Sequence, residues 1–381
     1  MRPAVYVDNN ATTRPDPRVV EAMLPFLGER YGNASSAHAL GWEAEAAVEE
    51  ARREVAELIG ADRSEIFFTS GATESNNWVL SWAERRGAGV YTSPVEHESL
   101  LRPGEHLLGE AMRLLAPAET GQVSVDALPE APRVGDLVSL MAVNNEVHAC
   151  LDVAAVAAAC HARGLVFHTD AAQAVGRVPV AVRAWGVHLL SLSAHKLYGP
   201  KGIGALYVAE ALHGELTPLL FGGGQQQGMR SGTIPVFLAV GLGAACKIAR
   251  EELDRDRAHA TALAERFLAR LRELDVPFAL VGPSDLSKRQ PGGLCLEIEG
   301  VLARQLCELL PDVALSAGSA CSSRGTGSHV LEALGVDVER ALGIFRVCFG
   351  RFNQADDATY VAERIAEVRQ GVVRRLVGPS R

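Results

Sequence analysis

Short apolar runs recur over the first two-thirds of the chain with helical patterns between them, and this alternation is what most narrows the fold. Ile66-Phe67-Phe68-Thr69 reads as a buried strand, and further apolar runs follow at 137–143, 165–168, 187–192 and 203–208. Residues 42–59 place Ala44, Ala47, Val48, Ala51, Val55, Leu58 and Ile59 on one helical face, and Gly60 stops that helix. A second helical stretch runs from Thr73 to about Arg86. Strands that alternate with helices predict an α/β fold around a mainly parallel sheet, because parallel neighbours need a long crossover between them. Such sheets take their ligands beyond the carboxyl ends of the strands. From about residue 250 the pattern changes. A charged amphipathic helix over 249–273 precedes short strands near 277–281 and 293–298, so a second domain is expected to begin there.

The 381 residues are 48% hydrophobic, ample for a core without covalent staples. A formal net charge of -9 argues against a nucleic-acid surface. The basic pair Arg374 and Arg375 reads as a solvated helix face. No apolar run is long enough to span a membrane, and Met1 to Asp8 lacks the apolar stretch of a signal peptide. The seven cysteines, at 150, 160, 246, 295, 307, 321 and 348, are odd in number and form no C-x-x-C pair. Neither a disulfide framework nor a zinc site is therefore expected, and a reducing cytoplasm is the simplest location.

Polar clusters follow several of the strands. Gly71, Ala72 and Thr73 open a helix after the strand at 66–69. Backbone N–H groups there suit a phosphate, or else Ser70 or Thr73 simply caps the helix. Asn144-Asn145-Glu146 follows 137–143, and Asp170 follows Val166-Phe167-His168-Thr169, with Gln173 one turn on. A carboxylate at the end of a buried strand needs a positive partner, such as a protonated pyridine nitrogen, unless it is only a helix cap. Lys196, in Ser193-Ala194-His195-Lys196, follows the strand 189–192. At a site mouth burial would lower its pKa and make it an amine nucleophile; at the surface it would only snorkel. Anion cradle, acid and lysine are the three parts that pyridoxal phosphate asks for. His97 follows the strand-like 89–92 and reads either as a ring-stacking or proton-carrying residue or as a solvated loop histidine. Gly222-Gly223-Gly224 through Thr233 is a glycine stretch with a basic anchor at Arg230, whereas Gly241-x-Gly243 lies in an alanine-rich helical segment and is a weak decoy. Cys321 stands in a stretch of a dozen mostly small residues from Ser316 to Gly327, a poor place for a structural cysteine and a suitable one for a reactive thiol.

Taken in order, Val7-Asp8-Asn9-Asn10-Ala11-Thr12-Thr13, Ser35-Ser36-Ala37-His38, Phe68 through Ser75, Glu96-His97, Val143 through Glu146, His168 through Gln173, Ser193 through Gly202, Arg230-Ser231-Gly232-Thr233 and Ser316 through Cys321 resemble the cysteine desulfurases. The likeness is to the nitrogen-fixation type, within the class V aminotransferase group, and covers nearly the whole chain. It implies a fold-type-I, pyridoxal-phosphate-dependent transferase fold. That fold has a mainly parallel seven-stranded sheet in a large domain, 12–250, and a smaller α+β domain formed by 1–11 with 251–381. It also implies a homodimer with sites at the subunit interface. Lys196 would hold the cofactor as a Schiff base, Asp170 would face the pyridine nitrogen, and His97 would stack on the ring and take part in proton transfer. Ala72, Thr73, Ser193 and His195 would hold the phosphate, joined by Thr233 from the neighbouring subunit. Asn145 and Gln173 would contact the ring oxygen.

Arg346, assisted by Asn33, would grip the carboxylate of L-cysteine. Cys321 would take the sulfur as a persulfide, release alanine, and pass the sulfur to an acceptor protein for iron–sulfur cluster assembly or thiolation. No resident metal is implied, with Cys321 a candidate for transient cluster ligation only. Two other readings keep the residues and change the outcome: a selenocysteine lyase or other β-elimination enzyme, and a retired homologue that only binds a partner. The chain departs from the family pattern in places. Val147-His148 stands where relatives usually have Ile-Gly, and Pro291-Gly292-Gly293 replaces a usual Pro-Asn. The segment Arg324 to His329 reads one residue shorter, and the chain ends at Arg381 without the longer tail with which housekeeping relatives dock a scaffold.

Overall fold

The computed structural model describes residues 4–317 and 327–377. Its strands, in chain order, are β1 (Val5–Tyr6), β2 (Ile66–Thr69), β3 (Val90–Thr92), β4 (Met112–Leu114), β5 (Leu137–Ser139), β6 (Val166–Asp170), β7 (Leu189–Ser193), β8 (Gly204–Val208), β9 (Phe278–Leu280), β10 (Gly293–Ile298), β11 (Val313–Ala314) and β12 (Ile344–Cys348). Seven of them form one sheet in the order β2-β8-β7-β6-β5-β3-β4. Strands β3 to β7 pair in parallel, and β8 runs antiparallel to both β7 and β2. The carboxyl ends of β2, β5, β6 and β7 therefore share one edge of the sheet, the edge at which Ala72, Asn145, Asp170 and Lys196 follow in sequence.

Both faces of the sheet are covered, which is why its strands are apolar throughout. Side chains alternate between the faces. Ile66 and Phe68 join a core that includes the helix Ala39–Ile59, while Phe67 joins Trp78, Trp82 and Leu206 on the other side. A separate core unites Val5 and Val7 with residues between Leu263 and Val372, around the antiparallel sheet β12-β10-β9.

One helix links the two cores, and it is longer than its sequence pattern suggests. Val236–Glu273 is continuous for 38 residues, beginning well before the expected 249. Its first half carries Ala239, Leu242, Cys246 and Ala249 into the first core, and its second half carries Leu263, Phe267 and Leu271 into the other. The helical breakers in the first half serve close packing. A Cβ on Gly243 would lie 2.6 Å from the Ala51 Cα, so only glycine lets this helix press against Ala39–Ile59.

Candidate active site

Beyond that shared strand edge lies a cavity of about 720 Å3. Among its lining residues are Ala72, Thr73, His97, Asn145, Asp170, Gln173, Ser193, His195, Lys196 and Arg346, each singled out from the sequence. Two others are not among them. Asn33 is exposed, with its side chain accepting from the Ser35 N–H (2.9 Å), and Thr233 is exposed outside this chain's cavity. Cys321 lies outside the described residues. The residues on either side of it bond to Arg346, which lines the cavity, and to Glu146 and Glu96, sequence neighbours of the lining residues Asn145 and His97. Arg346 Nη2 donates to Ser316 Oγ (2.8 Å), Ser328 Oγ donates to Glu146 (2.6 Å), and His329 Nε2 donates to the Glu96 carbonyl (2.9 Å).

Lys196 sits in a short 3-10 turn directly after β7. Its ammonium donates to the main-chain carbonyls of Asn10 and Ala11, the second at 3.0 Å. Burial, then Arg177 and Arg346, pull its pKa down to about 8 against the opposing pull of Asp170 and Asp8. A lowered pKa means the amine sheds its proton at a lower pH. In cofactor-free protein, attachment of an aldehyde at Lys196 is expected to speed up with pH and level off above about 8. Stopped-flow absorbance over a pH series checks this; an unperturbed lysine would level off only near about 10.4.

Asp170 ends β6 with both oxygens engaged. Oδ1 accepts from the Ala172 N–H (2.9 Å) and Oδ2 from Asn76 Nδ2 (2.7 Å). In the same cavity wall the helix Ala72–Arg85 begins at Gly71 with no side-chain cap, so its first N–H groups remain available to an anion. The capping alternative for Ser70 and Thr73 is thus not what the structure shows. His195 also lines the cavity, within reach of Thr12 Oγ1 (3.2 Å), with its pKa pushed down to about 4 by burial and then by Lys196, Lys201 and Arg177. A neutral imidazole there can donate without a charge of its own.

Three polar atoms of the wall are buried without a hydrogen-bond partner among the described residues: Asn145 Oδ1, Gln173 Oε1 and Arg346 Nε. Such atoms are costly unless a ligand meets them. An anion cradle, a carboxylate, a desolvated amine and unmet polar groups in one cavity make a donor set that fits pyridoxal phosphate.

The family model for class-V aminotransferases matches residues 5–371. A cysteine desulfurase, IscS, from Colwellia psychrerythraea is 42% identical over 376 residues, covering 96% of this chain and 92% of that protein. The chain belongs to the cysteine desulfurase family of class-V aminotransferases. That family consists of enzymes dependent on pyridoxal phosphate. Among solved structures, a NifS-like protein superposes with a TM-score of 0.89 at 34% identity, covering 97% of this chain and 100% of its own. SspA in complex with cysteine gives 0.80 at 31% identity, with 92% and 100% covered.

Within that family frame, the odd pair His148 and Gly293 has a structural account. His148 is fully buried at a backbone φ of 61°, a region where glycine is at ease and histidine is not. Its ring lies against Gly293, where a Cβ would come within 2.7 Å of it. The histidine takes up space that the glycine vacates. Its Nδ1 meets Asn10 Nδ2 at 2.8 Å, and Asn10 Oδ1 accepts from Arg177 (3.0 Å) and Gln290 (2.9 Å). Burial, then Arg289, Arg346 and Arg177, hold the imidazole well below its usual pKa. It is therefore a neutral acceptor for the residue whose carbonyl holds Lys196. Gly293→Ala is expected to lower stability by about 1–3 kcal/mol through overpacking. In the His148→Gly background the same change costs less, and urea unfolding of all four proteins in a double-mutant cycle measures the coupling.

Asn10, Asn76 and Ser99 contribute to the site although their types in sequence mark nothing. Asn10 sits in a loop before the first helix, and Asn76 and Ser99 lie in helices where they pass for surface residues. Only the run Asn9-Asn10-Ala11-Thr12-Thr13, through its likeness to the family, carries a signal.

Proposed function

We propose that this chain binds pyridoxal phosphate and converts L-cysteine to L-alanine, leaving the sulfur as a persulfide on Cys321 for transfer to an acceptor protein in iron–sulfur assembly or thiolation. The observation that carries this reading is the cavity that unites Lys196, Asp170 and the uncapped helix start with the unpartnered Asn145, Gln173 and Arg346. When bound, the cofactor supplies an electron sink beside the substrate α-carbon. The N–H groups of Ala72 and Thr73 with Ser193 and His195 would hold its phosphate. Asp170 would stabilise the proton on the ring nitrogen, Asn145 and Gln173 would bond the ring oxygen, and His97 would stack on the ring.

Arg346, with Nε unspent, takes the substrate carboxylate. Lys196 removes the α-proton in its neutral form, which its lowered pKa makes accessible near neutral pH. The Cys321 thiolate then attacks the substrate sulfur: the new S–S bond forms as the carbon–sulfur bond breaks, and the carbon regains protons to leave as alanine. One thiol and one cysteine give one persulfide and one alanine, with no outside oxidant. The hydrogen bonds at Ser316, Ser328 and His329 support this assignment, since they tie both sides of the Cys321 segment to Arg346 and to the sequence neighbours of Asn145 and His97.

Thr233, exposed and outside its own cavity, suits a contribution to the phosphate site of a second copy, and Asn33 assists Arg346 in the same dimer. The two cores suit a large domain of 12–250 and a small one of 1–11 with 251–381. A cytoplasmic setting suits the free cysteines. Among the described residues no helix is long and apolar enough to cross a membrane. The test is Cys321→Ala. This variant is expected to load cofactor normally and to form no alanine from L-cysteine. Alanine formed at the wild-type rate would refute the mechanism.

A further inference from the structure

Arg177 is buried in the turn that follows β6, 19 positions before Lys196. An arginine side chain carries five N–H donors in a fixed fork and accepts nothing, so the direction of each of its bonds is certain. Here every donor has an acceptor. Nε (3.2 Å) and Nη2 (3.0 Å) both donate to the main-chain carbonyl of Lys196, and Nη2 also donates to the Asn9 carbonyl (2.6 Å). Nη1 donates to Asn10 Oδ1 (3.0 Å) and to Cys348 Sγ (3.5 Å). None of these acceptors is charged. Two are main-chain carbonyls, one is an amide, and burial pushes the Cys348 thiol up, which keeps its proton on. The guanidinium charge is therefore held by dipoles, and no acid in this set cancels it. The same contacts join the two pieces of chain that hold Lys196. The lysine ends a short 3-10 turn, and the chain then bends through Tyr198 at a φ of 65°. Arg177 supplies two donors to the carbonyl at that bend. Asn10 and Ala11 receive the Lys196 ammonium, and Arg177 grips Asn9 and Asn10 beside it. One side chain thus fixes the root of the lysine and the loop that meets its tip.

We propose that Arg177 is the positioning residue of Lys196: it clamps the lysine's main chain to the loop that receives its amine, and its uncancelled charge readies that amine to give up a proton. The charges around Lys196 come from several elements. Burial has the largest effect, Arg177 and then Arg346 oppose the ammonium, and Asp170 and Asp8 favour it, with the balance at about 8. His97, His195 and Lys201 are further titratable groups of the same cavity. The two arginines differ in what substrate does to them. On the desulfurase reading, Arg346 meets the substrate carboxylate, and its push on Lys196 is then cancelled. Arg177 has its fork filled by neutral groups and keeps its push while substrate is bound. This bearing on catalysis rests on the desulfurase reading, whereas the proton affinity of Lys196 does not.

The test is the titration of Lys196 in the full chain freed of cofactor. Trace acetic anhydride is applied over a pH series from about 6 to about 11, and acetylation of the Lys196 peptide is read by mass analysis, with the exposed Lys201 as internal reference. Arg177→Gln removes the charge and still offers N–H donors to the carbonyls. Its Lys196 midpoint is expected to rise by at least about one pH unit. Arg177→Lys keeps the charge and gives up the fork, and its midpoint is expected to stay within about half a unit of wild type. A purely structural arginine would disturb both variants alike. An unchanged midpoint in Arg177→Gln would overturn the proposal, and so would a rise in Arg177→Lys as large as that in Arg177→Gln. A wild-type midpoint near the ordinary lysine value of about 10.4 would do the same. Thermal melts show which variants fold. If Arg177→Gln does not, Arg177→Lys decides: a midpoint near that of wild type supports the proposal, and a rise of about one unit or more overturns it. Neither substrate nor cofactor enters the measurement, so a failed desulfurase assay and a failed midpoint remain distinct results.

Discussion

Lys196→Ala is expected to lower the rate of alanine formation from L-cysteine by about 10⁴-fold, the upper range for loss of a positioned proton-transfer group. The lysine has two tasks, tethering the cofactor and moving the α-proton, and no neighbour replaces it. Lys201 also lines the cavity, yet it is exposed, and Lys196 is the one that burial has stripped to a pKa of about 8. The cofactor itself should still bind, because its phosphate cradle at the helix Ala72–Arg85 is untouched. Borohydride treatment followed by peptide mass analysis separates the tasks. It should fix cofactor to the Lys196 peptide in wild type and to no peptide in the variant. Lys196→Arg should fare no better, since a guanidinium does not give up its proton to become a nucleophile.

Asp170→Asn is the second large effect, with an expected loss of about 10²–10³ in kcat, comparable to removing one preorganised electrostatic partner. The amide keeps the size of the carboxyl group and removes the charge that would face a protonated ring nitrogen. It also disturbs the protein side. Asp170 accepts from Ala172 N–H and from Asn76 Nδ2, and an amide can accept only through one of its two ends. One of those donors loses its partner, at about 1–3 kcal/mol. Weaker cofactor retention should accompany the lower kcat, measured by dialysis against a cofactor-free buffer. If Asp170 were no more than a cap for the turn at 171–173, the Asn variant would keep both, since asparagine caps as well as aspartate does.

Both variants change residues that the sequence itself makes legible, because each stands at or just past a strand end, and strand ends announce themselves locally. Val166 to Asp170 and Leu189 to Ser193 are apolar runs broken by polar residues, and the parallel sheet then brings those breaks to one edge. Asn76 is not legible in this way. Its partner is 94 positions away, and within its own helix it resembles any solvent-facing asparagine. That the alanine-rich helical segment around Gly241 runs unbroken into the charged helix expected from 249 is hidden for a similar reason. Its glycines are poor helix formers in isolation and become useful only in packing, Gly243 against Ala51 and Gly241 against Met23 and Pro200.

His148 is the clearest case of the division. As a letter in the sequence it is an oddity at a position that prefers glycine, and Gly293 is a second oddity far along the chain. Packing turns the pair into one feature, a ring filling the space of a missing Cβ. What the chain determined by itself was the kind of fold and the order in which an anion cradle, an amide pair, an acid and a lysine reach the strand ends, since periodicity and strand breaks depend on near neighbours. What only the tertiary structure decided was the condition of those groups: which lysine is desolvated, which amide atoms are left unmet, and which nitrogen of His97 caps a helix. Desolvation and hydrogen-bond direction depend on atoms brought together from distant segments, so no local pattern contains them.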